Sequence, residues 1–273
     1  MEAAEGCDAV IHCAASTSVW PARSEAVNNV NVEGTKNIVQ AVQKHKIKRL
    51  LYIGTANSFG FGSKENPGLE ENPYQSDRYG LDYMDSKYKA QQFVLNEVRE
   101  KGLPALILNP TFMFGPYDSG PSSGSLLIAL CQGKVPGYTN GGKNYVCVKD
   151  VAVATANALS KGTIGECYIL GNQNLSYKEV FRKIAAVVGV LPPVLYIPPV
   201  FAILYGLVGT FTGTVGRRAP AISYPLMRIA CDEHYYSPAK AIRELDLPQT
   251  PIEKGIEECF SWLKENGYLE KKK

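Results

Sequence analysis

The chain has no long unbroken apolar run, no excess of charge of one sign and no closely spaced cysteine pair, and each lack removes a class of function. The most apolar stretch, Leu191 to Gly206, is divided by four prolines. It leaves only about twelve apolar residues from Val200 onward before Thr and Arg return, against roughly 20 needed to cross a bilayer. Stable membrane insertion is therefore not expected. The 29 basic and 26 acidic side chains leave +3, part of it in the Lys271-Lys272-Lys273 tail, so nothing argues for a nucleic-acid partner. The basic run Lys44 to Arg49 falls where a helix should end before a strand, and it reads as a solvated C-terminus complementing the helix dipole. The seven cysteines are odd in number, lack a Cys-x-x-Cys pair and fall mostly in apolar runs. They read as reduced, buried thiols of a cytoplasmic protein rather than a disulfide framework or zinc site. Three scattered histidines suggest no metal site. The first eight residues have neither the basic start nor the apolar core of a signal peptide.

What is present is a repeated alternation of strand and helix signals. Asp8 to Ala15 is a short apolar run of the kind found in buried parallel strands. Val27, Val30, Gly34, Ile38 and Val42 mark a helix, Lys48 to Thr55 a second strand and Leu103 to Pro110 a third. Gly60 to Asp77, rich in Gly, Pro and Asn, should be a loop. This order implies βαβ units and a parallel α/β sheet. Hydroxyls gather at Thr55-Ala-Asn-Ser58, the C-terminal end of the second strand, on the edge where open α/β sheets bind ligands. Asn31 shares the apolar stripe of the first helix, so its amide must be hydrogen-bonded, as a structural brace or as part of a site.

Tyr83 and Lys87 lie four apart ahead of Ala90, Phe93, Val94 and Val98, whose spacing is helical. The pair should stand on one helix face. An ammonium beside a phenol favours the phenolate and brings its pKa toward the working range, so such a Tyr can exchange a proton with an alcohol oxygen. Tyr-x-x-x-Lys alone is common, and a surface pair with its ring on the core is the plain alternative.

Seven elements occur in order: His12-Cys-Ala-Ala15, Asn31-Val-Glu-Gly-Thr35, Tyr52-Ile-Gly-Thr55 with Phe59-Gly60, Tyr83-x-x-x-Lys87, Asn109-Pro-Thr-Phe-Met-Phe-Gly-Pro116, Tyr145-Val-Cys-Val-Lys-Asp150, and Tyr235-Tyr-Ser-Pro-Ala-Lys-Ala241. Together they resemble the extended short-chain dehydrogenase/reductases, the group that includes NAD-dependent epimerase/dehydratases. The branch most similar is that of dihydroflavonol reductase-like and 3β-hydroxysteroid dehydrogenase-like proteins. The resemblance implies a partial, N-terminally truncated Rossmann-like NAD(P)-binding domain over residues 1–171 and a smaller, mostly helical substrate region over 172–273. It implies that Tyr83 is the catalytic acid/base, that Lys87 lowers its pKa and holds the nicotinamide ribose of NAD or NADP, and that Thr55 hydrogen-bonds the reacting oxygen. Asn31 would hold a relay water. Ala14 and Ala15 would lie along the cofactor, with Asn109, Pro110 and Thr111 near the nicotinamide amide. The implied activity is an oxidoreductase interconverting a secondary alcohol and a ketone on a small molecule. A nucleotide-sugar epimerase or dehydratase and a catalytically incompetent homologue stand as alternatives. Homodimerisation through the Tyr83 helix is a further implication.

A full member of that group opens with a strand and a Gly-rich turn that meets the pyrophosphate at a helix N-terminus. This sequence starts just before the group's fourth strand, so about sixty residues of a full member have no counterpart in it. It reads either as part of a longer gene product or as a degenerate relative, with an open sheet edge and a weakened cofactor grip. Gly206-Leu-Val-Gly209-Thr-Phe-Thr-Gly213 is distantly similar to the missing glycine motif, but its last spacing is one residue too long. These glycines read instead as sites of close packing.

On the substrate side, Ser176 can cap a helix holding Val180, Ile184 and Val187. The apolar stretch from Leu191 reads as a lid over a pocket or a packed helix, with shallow membrane contact as the lesser reading. Such a wall suits a sterol-like, terpenoid or flavonoid-like ketone. Arg217, Arg218 and Arg228 keep a nucleotide diphosphate in play unless they are plain surface charge. Ile252, Ile256, Cys259, Phe260 and Leu263 mark a C-terminal docking helix, followed by a lysine tail expected to be disordered.

Overall fold

A computed structural model describes residues 2–269, and the tail Lys271 to Lys273 lies outside the described residues. Two sheets make the frame. The first is fully parallel and runs β1 (Ala9–His12), β2 (Arg49–Ile53), β3 (Ala105–Pro110) and β6 (Cys167–Leu170), in that spatial order. The second joins β4 (Phe112–Phe114), β5 (Gly142–Cys147) and β7 (Gln173–Ser176), with the short β8 (Glu233–His234) pairing parallel to β5. It draws strands from both sides of residue 171.

The central strands are apolar on both faces because helices cover both. Leu50, Leu51, Leu106, Ile107 and Leu108 are fully buried, each such side chain contributing about 1.5–3 kcal/mol on leaving water. One face packs on α2 (Gly34–Lys44) and α3 (Asp82–Lys101) through Val39, Val42, Ala90 and Val94. The other packs on α5 (Val148–Asn157) and α9 (Ala239–Leu245) through Val151, Ala154, Ala241 and Leu245. Ahead of α2, α1 (Glu25–Asn28) runs into it through a wide helical turn at Asn29–Glu33. A further core joins α4 (Gly124–Cys131), α6 (Tyr177–Val188) and α10 (Ile252–Glu265) beneath the second sheet, where Phe114, Tyr145, Val180, Ile184, Ile256 and Leu263 meet. Ser176 caps α6 as expected, in a reciprocal capping box with Glu179. The open edge is also present: β1 has no strand on its outer side among the described residues, and Ile11 is 43% exposed.

The apolar stretch after Leu191 forms α7 (Pro199–Val215), packed on α8 (Tyr224–Ala230). Its glycines permit the approach, since a Cβ on Gly209 would stand 2.1 Å from the Ile222 carbonyl oxygen. The packed-helix reading holds; the cleft described below takes Leu226 and Ile229 from α8 and nothing from α7, while Thr210, Gly213 and Thr214 of α7 line a separate cavity of about 450 Å³ with Trp20, Pro21 and Ala22.

Candidate active site

Parallel strands bring their C-terminal ends to one edge. There β1 leads into Ala14 and Ala15, β2 into Thr55 and β3 into Thr111. A cleft of about 580 Å³ opens beside them, with Thr55, Tyr83, Pro110 and Thr111 in one wall and Lys143, Asn144, His234 and Tyr236 also lining it. Ala14 is exposed and Ala15 half-buried.

α3 is fixed at its N-terminus before it presents its pair. Arg23 reaches both Asp82 and Asp85 at 2.8 Å, and the Asp82 carboxylate accepts from the Ser24 backbone N–H at 2.6 Å. The carboxylates sit in the first turn, where the helix dipole favours them. One turn on, the Lys87 ammonium is buried, donates to the Ile53 carbonyl at 2.6 Å and lies 4.6 Å from the Tyr52 ring centroid. Burial pulls its pKa down to about 8, opposed weakly by Cys13 at the end of β1. The plain surface-pair reading is therefore wrong for Lys87.

Tyr83 is half-buried at the cleft. Burial raises its pKa, and the nearby Thr55 hydroxyl works the other way. The expected lowering by Lys87 is not found: the ammonium is drawn toward the Ile53 carbonyl and the Tyr52 ring. Thr55 also caps a short helical turn by accepting from the Asn57 N–H at 3.4 Å.

Asn31 is a brace. Its carbonyl oxygen accepts from the Ser16 N–H at 2.7 Å, while its NH₂ donates to the Ser16 carbonyl at 3.0 Å and to the Ser86 hydroxyl at 2.9 Å. Behind it, the Thr35 hydroxyl donates to the backbone carbonyl of Asn31, not to its side-chain amide, at 2.7 Å and meets His12 Nε2 at 3.0 Å. The His12 pKa is pulled down to about 4 by burial and by Lys87, so the imidazole is neutral at pH 7. Asn109, expected near the nicotinamide, turns its fully buried side chain inward and donates to the Thr55 carbonyl at 3.0 Å and to Gln91 at 2.7 Å. It positions the Thr55 loop; Pro110 and Thr111 beside it do line the cleft.

Lys143 and His234 carried no signal in the sequence, and Tyr236 only as part of the Tyr235 to Ala241 element. Lys143 lies 5.2 Å from the Phe112 ring centroid, forms no ion pair among the described residues, and is brought down to about 8 by burial. His234 Nε2 meets the Tyr79 hydroxyl at 3.1 Å, but its Nδ1 and the Tyr236 hydroxyl have no partner in the protein. Burial, with Lys143 and Arg78 nearby, keeps His234 neutral. Distant segments bring these groups together, β5 against β8, so no local spacing announces them. The arginines expected to serve a diphosphate stand elsewhere. Arg228 donates to the Arg78 carbonyl at 2.6 Å, while Arg217 and Arg218 are exposed past the end of α7.

The NAD dependent epimerase/dehydratase family model matches residues 1–171 of this chain. The chain belongs to that family. Among its relatives is a provisionally named dihydroflavonol 4-reductase of Synechocystis sp., 30% identical over 272 residues that cover 97% of this chain and 78% of the relative. Another is the decarboxylating sterol-4-alpha-carboxylate 3-dehydrogenase of Candida albicans, 27% identical over 95% of this chain and 77% of that protein. The solved structure of gox2253 superposes with a TM-score of 0.84 at 30% identity, covering 98% of this chain and 82% of that one. Reductases, dehydratases and epimerases all occur among the relatives. The residues fit the nicotinamide end of the family's cofactor: Lys87 spends one proton on Ile53 and has two more to offer hydroxyl groups, at the ends of β1 and β2. Beside β1 the described residues hold no Gly-rich turn for the pyrophosphate end.

Proposed function

We propose that the chain is an NAD(P)-dependent oxidoreductase that interconverts a secondary alcohol and a ketone on a small, apolar substrate. The observation that carries this reading is the lining of the cleft. Around Tyr83 and Thr55 stand Val19, Leu81, Met84, Phe112, Leu226 and Ile229, and among the described residues Lys143 is the one charged side chain in the wall. An apolar ketone gains from burial there. A nucleotide diphosphate would need several cations, and the arginines that could serve it lie outside the cleft.

In this reading residues 1–171 serve the cofactor side and 172–273 the substrate side. Lys87 holds the nicotinamide ribose, with Ala14, Ala15, Pro110 and Thr111 along the cofactor. NAD(P), when bound, supplies or takes up the hydride. The rest is proton management by the protein. Tyr83, protonated at neutral pH because burial raises its pKa, gives its proton to the carbonyl oxygen during reduction and takes it back during oxidation. Thr55 donates to the same oxygen and polarises it. Once Tyr83 has lost its proton, the Thr55 hydroxyl beside it stabilises the phenolate. Asn31, Ser86 and Asn109 keep α3 and the Thr55 loop in place. Of the seven cysteines expected to be buried, Cys147, Cys167 and Cys259 are, whereas Cys131 and Cys231 are half-buried and Cys7 and Cys13 are exposed; a reducing compartment such as the cytoplasm is part of the proposal.

The test is a fluorescence titration of the purified chain with NADH and NADPH, with Lys87→Ala alongside, followed by a screen of apolar ketones. Saturable binding that the variant loses is the expected result. A folded chain that binds neither nucleotide would overturn the enzyme reading, and turnover of a nucleotide sugar with the nucleotide recycled would replace it.

A further inference from the structure

α7 faces outward with its apolar side. Gly206, Gly209 and Gly213 press against the segment around α8, which leaves Val200, Phe201, Leu204, Tyr205, Val208 and Phe211 on the opposite side, all exposed. Their spacing of three, four and seven residues makes one continuous stripe. Phe201 and Phe211 are 64% and 70% exposed, and Leu191 and Val194 in the preceding loop extend the apolar surface at 92% and 85%. A contiguous apolar patch of this kind marks an interaction surface.

Charge decides what covers it. From Val180 to Cys231 there is no Asp or Glu, while Arg182, Arg217, Arg218 and Arg228 fall within the same stretch. Arg217 and Arg218 directly follow α7, are exposed, and form no ion pair among the described residues. A second copy docked through α7 would bring no carboxylate from its own Val180 to Cys231 segment to receive Arg217 and Arg218. An anionic lipid surface accepts both the apolar stripe and the arginines. At 17 residues α7 is about 26 Å long, and no helix among the described residues is long and apolar enough to cross a membrane. A helix with one apolar face and a cationic end lies in the interface instead. The face is also connected to the cleft, since α8, which α7 packs on, carries Leu226 and Ile229 into the cleft wall.

We propose that α7 is an interfacial anchor, lying in the plane of an anionic lipid surface with its Val200 to Phe211 stripe at the acyl boundary and Arg217 and Arg218 among the headgroups. The anchor does not depend on the reaction proposed above. Flotation of the full chain with vesicles of three parts phosphatidylcholine to one part phosphatidylserine tests it, with pure phosphatidylcholine for comparison. The wild type should float with the anionic vesicles. Phe201→Glu with Phe211→Glu should lower binding about tenfold or more, because charge replaces buried apolar surface. Arg217→Glu with Arg218→Glu should lower it several-fold, with a larger effect at low salt. Far-ultraviolet circular dichroism confirms that the variants are folded, and all four positions are exposed. A wild type that stays unbound, or a Phe201→Glu/Phe211→Glu variant that floats as well as wild type, overturns the proposal. So does a wild-type dimer in sedimentation velocity that the same variant dissociates, which would make α7 a contact between copies.

Discussion

The two longest helices break the same rule in opposite directions. α3 buries polar groups, Ser86, Lys87, Gln91 and Glu97 among them, whereas α7 exposes Val200, Phe201, Leu204 and Phe211. Folding alone favours neither choice: a buried ammonium loses hydration, and an exposed phenylalanine forgoes its transfer energy. In α3 most of the exceptions are paired, Lys87 with the Ile53 carbonyl, Ser86 with Asn31 and Gln91 through its Oε1 with Asn109, while Gln91 Nε2 has no partner among the described residues. In α7 the exceptions have none among the described residues. A satisfied exception on the ligand-binding edge points to chemistry, and an unsatisfied one on the surface points to something outside the molecule.

The largest expected effect comes from removing one oxygen from α3. Tyr83→Phe should leave the fold and nucleotide binding intact while lowering kcat by about 10²- to 10⁴-fold, the usual worth of a positioned proton donor. Steady-state kinetics on any ketone found by the screen reads this. A variant with unchanged kcat would make the polar content of α3 structural only, as expected of a catalytically incompetent relative.

The corresponding change in α7 acts through packing. Gly209→Val places a Cβ where the Ile222 carbonyl oxygen stands 2.1 Å away. Overpacking of that kind costs about 1–3 kcal/mol, near the upper end here because the obstacle is backbone. It should lower the denaturant midpoint and, by shifting α8 with Leu226 and Ile229, raise KM more than it lowers kcat. A Gly209→Val protein as stable as wild type would mean that α7 is not held by its glycines.

Asn31→Ala then tests whether the satisfied exceptions are truly braces. The substitution leaves both backbone groups of Ser16 and the Ser86 hydroxyl without their partner, a loss of about 2 kcal/mol. Denaturant unfolding measures it. A stability loss with kcat nearly unchanged supports the brace, while a kcat loss without a stability loss would restore the relay role that the resemblance implied.

These outcomes also show how far the sequence could be read. The parallel sheet was legible because β2 and β3 are apolar on both faces, which leaves continuous runs such as Ala105 to Leu108. The Tyr83 and Lys87 pair was legible because helical spacing fixes which side chains are neighbours. Spacing did not say where the Lys87 ammonium would point, and the Ile53 carbonyl that receives it lies 34 residues away in sequence. Asn109 stands at the right strand end but turns inward, toward Gln91 and Thr55. Lys143 and His234 become neighbours through pairing of β5 with β8, a long-range event with no local signature. For α7 the apolarity was legible, but the helix runs 17 residues, on through the Thr and Gly positions where the apolar stretch ends, and three glycines decided which side faced α8.

The effect most specific to Lys87 is on the pH dependence of stability. Its pKa is about 8 in the folded chain against an ordinary 10.5, because burial penalises the charged form. Between those values the unfolded chain holds a proton that the folded chain has released, so this group makes stability rise with pH across that window, by up to about 1.4 kcal/mol per pH unit. Lys143, also near 8, acts in the same direction. The buried thiols Cys147, Cys167 and Cys259, pushed up to about 11, 12 and 11, act in the opposite direction above pH 9, where the unfolded thiols ionise first. The difference between wild type and Lys87→Met is therefore the informative quantity. Denaturant unfolding at pH 7.5, 8.5 and 9.5 should show the variant gaining less, or losing more, than wild type as pH rises, with the gap widening at each step. Parallel curves would mean that Lys87 keeps its ordinary pKa, and that the polar interior of α3 is more open to water than its hydrogen bonds imply.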